Sequence, residues 1–202
     1  KISEAEVMVE GGIRDILITS EIATKDKMAR VCALSKRADV KVTIDDPSNL
    51  QDLSESAQAF GANVGAVIEV NTSMGRGGVR HTERGVAIAQ MANSLPGIVF
   101  KGVMSHQTLP GAPDRETRWI EGRRYIQMCL DVKDAIEAEG IPVEIVSSGE
   151  SWTYDIAAEI PGVTEIEGGT YALLSTNYTY MTEFEIAAKI LGAVISTPRP
   201  GI

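Results

Sequence analysis

Four short stretches of the chain carry groups suited to chemistry, and each directly follows an apolar run. Arg76 lies in Asn71-Thr72-Ser73-Met74-Gly75-Arg76-Gly77-Gly78, after Gly65–Val70 with its single acid, Glu69. His106 follows Ile98–Met104 and Ser105. Ser147-Ser148-Gly149 ends the run Val143–Val146, and Gly168-Gly169-Thr170-Tyr171 follows Val163–Ile166. A glycine-rich loop with a cation at a strand end can hold an anionic ligand, and hydroxyls with free backbone N–H groups can hold a phosphate. The same residues also suit ordinary βα turns with a solvated arginine. A strand-end histidine such as His106 can stack, hydrogen-bond or carry a proton. His81, between Arg80 and Thr82, reads as solvated surface. No His, Cys or carboxylate pair has metal-ligand spacing along the chain, so no metal site is expected within it.

The elements that must position these groups alternate regularly. Apolar runs centred near residues 17, 43, 68, 101, 145 and 166 read as strands. Amphipathic segments separate them: Ser3–Gly11 with Ser3 as N-cap, Thr24–Lys36, Ser48–Phe60 after Asp46-Pro47, Thr82 to about Asn93, Asp114–Glu139, and Tyr154–Glu159. The long helix should bury one face built from Trp119, Ile120, Tyr125, Ile126, Met128, Cys129, Val132 and Ile136. Trp152 reads as a packing residue beside the loop at 147–151. Such alternation calls for a parallel α/β sheet with helices outside it. An open doubly wound sheet and a (β/α)8 barrel both fit. Chemistry at the ends of many successive strands favours the TIM-type barrel, with about six of its eight βα units in this chain.

Composition narrows the function classes. The 202 residues are 44% hydrophobic and 23% charged, ordinary for a globular domain. A net charge of −9 argues against a nucleic-acid groove. No apolar run reaches the roughly 18 residues of a membrane span. Cys32 and Cys129 form no disulfide framework, so a reducing, cytoplasmic setting is expected.

At these residues the chain resembles the alanine racemase-like barrel of fold-type III pyridoxal-phosphate enzymes, in its D-threonine aldolase and D-serine dehydratase branch. The matching stretches are Lys1–Glu6, Asp15–Ile18, Met74-Gly75-Arg76 with the following Gly78-Val79, Tyr154–Glu165, Gly169-Thr170-Tyr171 and Asn177-Tyr178. The resemblance implies pyridoxal 5'-phosphate as cofactor. Arg76 would lie near the phenolic oxygen of its ring, and His106 against the ring or the substrate. Ser148, Gly149, Gly169, Thr170 and Tyr171 would hold the phosphate. The cofactor would serve as electron sink for a bond at the substrate α-carbon. The resemblance implies a covalent lysine at the end of the first barrel strand, before Lys1; none of the eight lysines here falls at a matching position. Residues 1–194 would form a partial barrel, and residues 195–202 would lead into a C-terminal β-domain that could supply a divalent metal.

Three departures stand out: Asn71-Thr72-Ser73, Gln107-Thr108-Leu109, and Ser148-Gly149-Glu150-Ser151-Trp152 in place of a glycine- and threonine-rich loop. Glu150 would repel a phosphate unless its side chain turns away. The implied activity is a lyase acting on D-configured β-hydroxy amino acids, by retro-aldol cleavage or by dehydration, in a homodimer. An amino-acid racemase of the same fold and a non-catalytic carrier barrel are the alternatives within the family. A phosphate-binding barrel without this cofactor is the alternative outside it.

Overall fold

A computed structural model describes residues 1–108, 114–196 and 198–199. The loop expected at Gln107–Pro113 and the linker expected at 195–202 therefore lie partly outside the described residues. The elements follow in the order α1 (Ile2–Glu10), β1 (Asp15–Ile18), α2 (Lys25–Ser35), β2 (Asp39–Ile44), α3 (Pro47–Phe60), β3 (Val64–Glu69), α4 (Thr82–Ser94), β4 (Ile98–Ser105), α5 (Arg115–Ala138), β5 (Ile145–Ser148) and α6 (Tyr154–Ala157). Two 3-10 turns follow, at Thr170–Ala172 and Thr176–Tyr178. No described helix is long and apolar enough to cross a membrane.

The five strands pair in parallel in the order β1-β2-β3-β4-β5, curling as a half-barrel with helices on the outside. Every residue of β3 and β5 is buried, as a parallel sheet covered on both faces requires. Leu50, Leu53, Ile68, Ile88, Ile126 and Ile136 are among the largest fully buried side chains. Element starts follow local chemistry. The Asp46 carboxylate accepts from Ser48 N at 2.8 Å and Asn49 N at 3.3 Å, Pro47 opens α3, and Gly61 closes it with a left-handed φ of 56°.

Three expectations are corrected. The run near 166 is not a ladder strand: it makes a single bridge, Glu165 to Ser147. Thr164 Oγ1 takes the Val146 N–H at 2.8 Å, which withdraws the donor a longer ladder would need. Ser3 does not cap the first helix; it lies inside α1, whose N-cap is Lys1. Trp119 and Ile120 do not share the buried face of α5; they are 39% and 54% exposed, and the Arg123 guanidinium lies 4.9 Å from the Trp119 ring centre. Trp152 does pack, in a second cluster with Tyr125, Leu174 and Met181.

The two ends of the sheet differ in kind. At the strand starts, buried Lys41 reaches across Gly65 to pair with Asp15 and Asp39. A Cβ on Gly65 would fall 2.6 Å from Lys41 Cγ, so that glycine makes room for the crossing. At the strand ends lie Glu69, Ser105, His106 and Ser148. In such sheets the starts serve stability and the ends serve chemistry. Gly102 tests the closeness of β4 to β5: a Cβ there would sit 1.9 Å from the Ile145 carbonyl oxygen. Gly102→Ala should therefore cost roughly 3 kcal/mol in urea unfolding. A midpoint equal to wild type would contradict this packing.

Candidate functional site at the strand ends

The arginine loop is built on β3. Glu69 O accepts from Val79 N at 2.8 Å, and Asn71 N donates to Val79 O at 3.0 Å, so the chain leaves and returns at one point. Asn71 Nδ2 donates to Gly77 O at 2.6 Å and Gly78 N to Asp45 Oδ2 at 2.8 Å. Gly78 has φ 95°, and a Cβ on it would fall 2.6 Å from Asn71 N. Only glycine suits that turn. The closed loop leaves the Arg76 side chain 55% exposed, with Nη2 3.7 Å from Glu69 Oε1.

His106 lies at the neighbouring strand end and is tied to the same loop. Thr108 N donates to Ser73 Oγ at 2.8 Å, and Thr72 Oγ1 donates to His106 O at 3.4 Å. Arg76 and His106 thus rise from adjacent strands whose loops are joined. The Glu150 side chain turns toward His106. Its Oε1 lies 2.8 Å from His106 Nδ1 and accepts from Gln107 N at 3.3 Å. This bond leaves Nε2 as the imidazole atom free to serve a ligand. His81, by contrast, is exposed at the start of α4.

The expected phosphate residues divide into two groups. Ser148 is fully buried, and its hydroxyl meets Ser105 Oγ at 2.8 Å and Gln107 Nε2 at 2.9 Å. Gly149 has φ 105° and accepts from Glu167 N at 2.9 Å; a Cβ on it would meet Ala157 Cβ at 2.6 Å. These two residues form a floor. Gly169 is exposed, Thr170 is half-buried and Tyr171 is exposed. Tyr171 N donates to Ser151 Oγ at 3.1 Å, which leaves the Ser151 proton available. Ser151, Gly168 and Tyr171, with Tyr154, Ile166 and Phe184, line an open cavity of about 310 Å³.

Four acids complete the site; the sequence pointed to Glu69 and Glu150 but not to Glu21 or Glu167. Glu21 and Glu69 face one another behind Gly77, while Glu150 and Glu167 gather at β5. Burial, then Glu21, push the Glu69 carboxyl up to about 8. Burial also pushes Glu167 up to about 8. Sequence spacing argued against a metal, yet the fold brings one ligand atom each of His106, Glu150 and Glu167 within 4.8 Å of one another. A cation could use that spacing. The His106–Glu150 bond already engages two of these groups, while Glu167 Oε1 is buried without a partner among the described residues. Cys129 offers no nucleophile, because full burial pushes its thiol up to about 12. Three lysines are engaged elsewhere: Lys41 is held at the strand starts, Lys101 pairs with Glu144 at 2.7 Å, and Lys133 pairs with Glu137 at 2.6 Å.

A raised carboxyl makes a signed prediction. Glu69 keeps its proton in the fold while its unfolded counterpart loses it near 4.5. Its contribution to stability is full below about 4.5 and fades as pH rises toward about 8. Glu69→Gln should flatten that part of the pH dependence of the urea midpoint. An unchanged slope would contradict a protonated Glu69.

Comparison with known proteins agrees with this architecture. The profile of the alanine racemase N-terminal domain matches residues 1–173. The chain is 34% identical over 212 residues to the 3-hydroxy-D-aspartate aldolase of Paracoccus denitrificans (strain Pd 1222), covering 99% of this chain and 55% of that protein. The crystal structure of D-threonine aldolase from Filomicrobium marinum superposes with a TM-score of 0.86 at 27% identity, over 93% of this chain and 53% of that one. The D-threo-3-hydroxyaspartate dehydratase from Delftia sp. HT23 superposes at 0.76 with 25% identity, over 86% and 46%. The chain spans about half the length of these relatives. By its matched residues and its curled parallel sheet, it is a member of the alanine racemase N-terminal domain family.

Proposed function

We propose that this chain is the cofactor-binding half of a pyridoxal 5'-phosphate-dependent lyase acting on D-configured β-hydroxy amino acids. The observation that carries the reading is Arg76 and His106 on adjacent strand ends, in a chain similar over nearly its whole length to a 3-hydroxy-D-aspartate aldolase.

The residues present fit the cofactor. Arg76 is exposed and makes one ion contact, at 3.7 Å, so its guanidinium retains donors for an anionic ring oxygen. The acids that could oppose a phosphate are accounted for. Glu150 is turned onto His106 and Gln107, and Glu167 is protonated at neutral pH. Ser151 Oγ, the Gly168-Gly169 backbone and Thr170 would hold the phosphate over the floor made by Ser148 and Gly149. Tyr171 would border it. When bound, the cofactor supplies the electron sink for a bond at the substrate α-carbon. Arg76 would fix the ring through its phenolic oxygen. His106, held by Glu150, would present Nε2 toward ring or substrate. The covalent lysine, a divalent metal, the C-terminal β-domain and the homodimer belong to the complete protein under the same proposal, as does its cytoplasmic setting.

The full-length protein should cleave D-threonine or 3-hydroxy-D-aspartate to glycine and an aldehyde, with the L-isomers inert. A dehydratase would instead release ammonia and a keto acid from the same substrates, and product analysis separates the two. Arg76→Ala should lower kcat/KM by roughly a hundredfold. Turnover of neither substrate class, or an Arg76→Ala enzyme as fast as wild type, would refute the proposal.

A further inference from the structure

We propose that Glu69 is a positioning residue for Arg76, acting as one half of a carboxyl pair with Glu21 that shares a single proton beneath the arginine loop. Glu69 is 2% exposed at the last position of β3. Neither its Oε2 nor Glu21 Oε1 is offered a donor by any described group. Both atoms crowd Gly77, where a Cβ would lie 2.7 Å from Glu21 Oε1 and 3.3 Å from Glu69 Oε2. Two carboxylates are acceptors only, so they can bond each other only through a proton. The other oxygen, Glu69 Oε1, faces Arg76 Nη2.

The surrounding charges are few. Glu21 comes from the segment after β1, Asp45 from the end of β2 and Arg76 from the loop after β3; Glu167 acts from beyond β5. Asp45 is already bonded to Gly78 N. With its shared proton the pair gives Arg76 one counter-charge. When that proton leaves, near pH 8, the pair carries two, and the arginine's field at a bound anion falls.

This inference rests on the proposed function, which places an anionic ring oxygen beside Arg76. The test uses the apo form of the full-length protein and pyridoxine 5'-phosphate, which has the ring oxygen and phosphate but no aldehyde for covalent capture. Its dissociation constant would be measured from about pH 6 to about pH 10. Wild type should weaken about tenfold as pH passes through the titration of the pair. Glu69→Gln, isosteric with the protonated carboxyl, should bind like wild type at neutral pH and show no such step. Glu69→Ala should bind more weakly at every pH. Arg76→Ala should bind weakly and without the step. A wild-type step retained in Glu69→Gln, or retained in full in Arg76→Ala, would overturn the assignment alone. Absence of binding by wild type at any pH would overturn the proposed function and this assignment with it.

Discussion

A parallel sheet buried on both faces leaves only its strand ends for polar chemistry. Three neighbouring strands end in polar groups: Glu69 closes β3, Ser105 closes β4 with His106 just beyond, and Ser147-Ser148 closes β5. The curl of the sheet turns these termini toward one another. The βα loops then bond across the gap, Thr108 to Ser73 and Glu150 to Gln107. The site is therefore a consequence of parallel pairing, and its precision is that of the sheet beneath it.

The electrostatics of this site are unusual for an anion-binding surface. Carboxyls outnumber cations at the strand ends, in a chain of net charge −9. Two of them, Glu69 and Glu167, are held protonated chiefly by burial, and Glu150 is engaged with a histidine. What remains exposed is the guanidinium of Arg76. Burial thus converts an acidic neighbourhood into one that can present positive charge, at the expense of stability at higher pH.

Much of this was legible in the sequence. Each of the first five βα units was marked by an apolar run followed by an amphipathic helix, and all but the first also by a glycine or proline stop, because those residues act locally. The run at 163–166 looked like a strand for the same reason, yet Thr164 spends its hydroxyl on Val146 and the ladder stops at one bridge. Trp119 and Ile120 matched a helical face by spacing, yet near the start of α5 they stay 39% and 54% exposed. Arg76 and His106 were readable as strand-end groups. The proximity of Glu21 to Glu69, and of Glu150 and Glu167 to His106, was not. Those contacts join residues from different βα units and depend on the angle at which strands approach. One local sign was available: an acid closing an otherwise apolar strand, as Glu69 does.

The account stands on Arg76 and the 168–171 segment holding opposite ends of one phosphorylated aromatic cofactor above β3 and β5. The most direct measurement is a crystal structure of the full-length protein grown with pyridoxal 5'-phosphate. The account predicts the ring oxygen within hydrogen-bonding reach of Arg76, the ring beside His106, and the phosphate on Ser151, Gly169 and Thr170. A cofactor bound elsewhere, for example between Arg115 and Arg118 where a second cavity of about 300 Å³ opens, would contradict it.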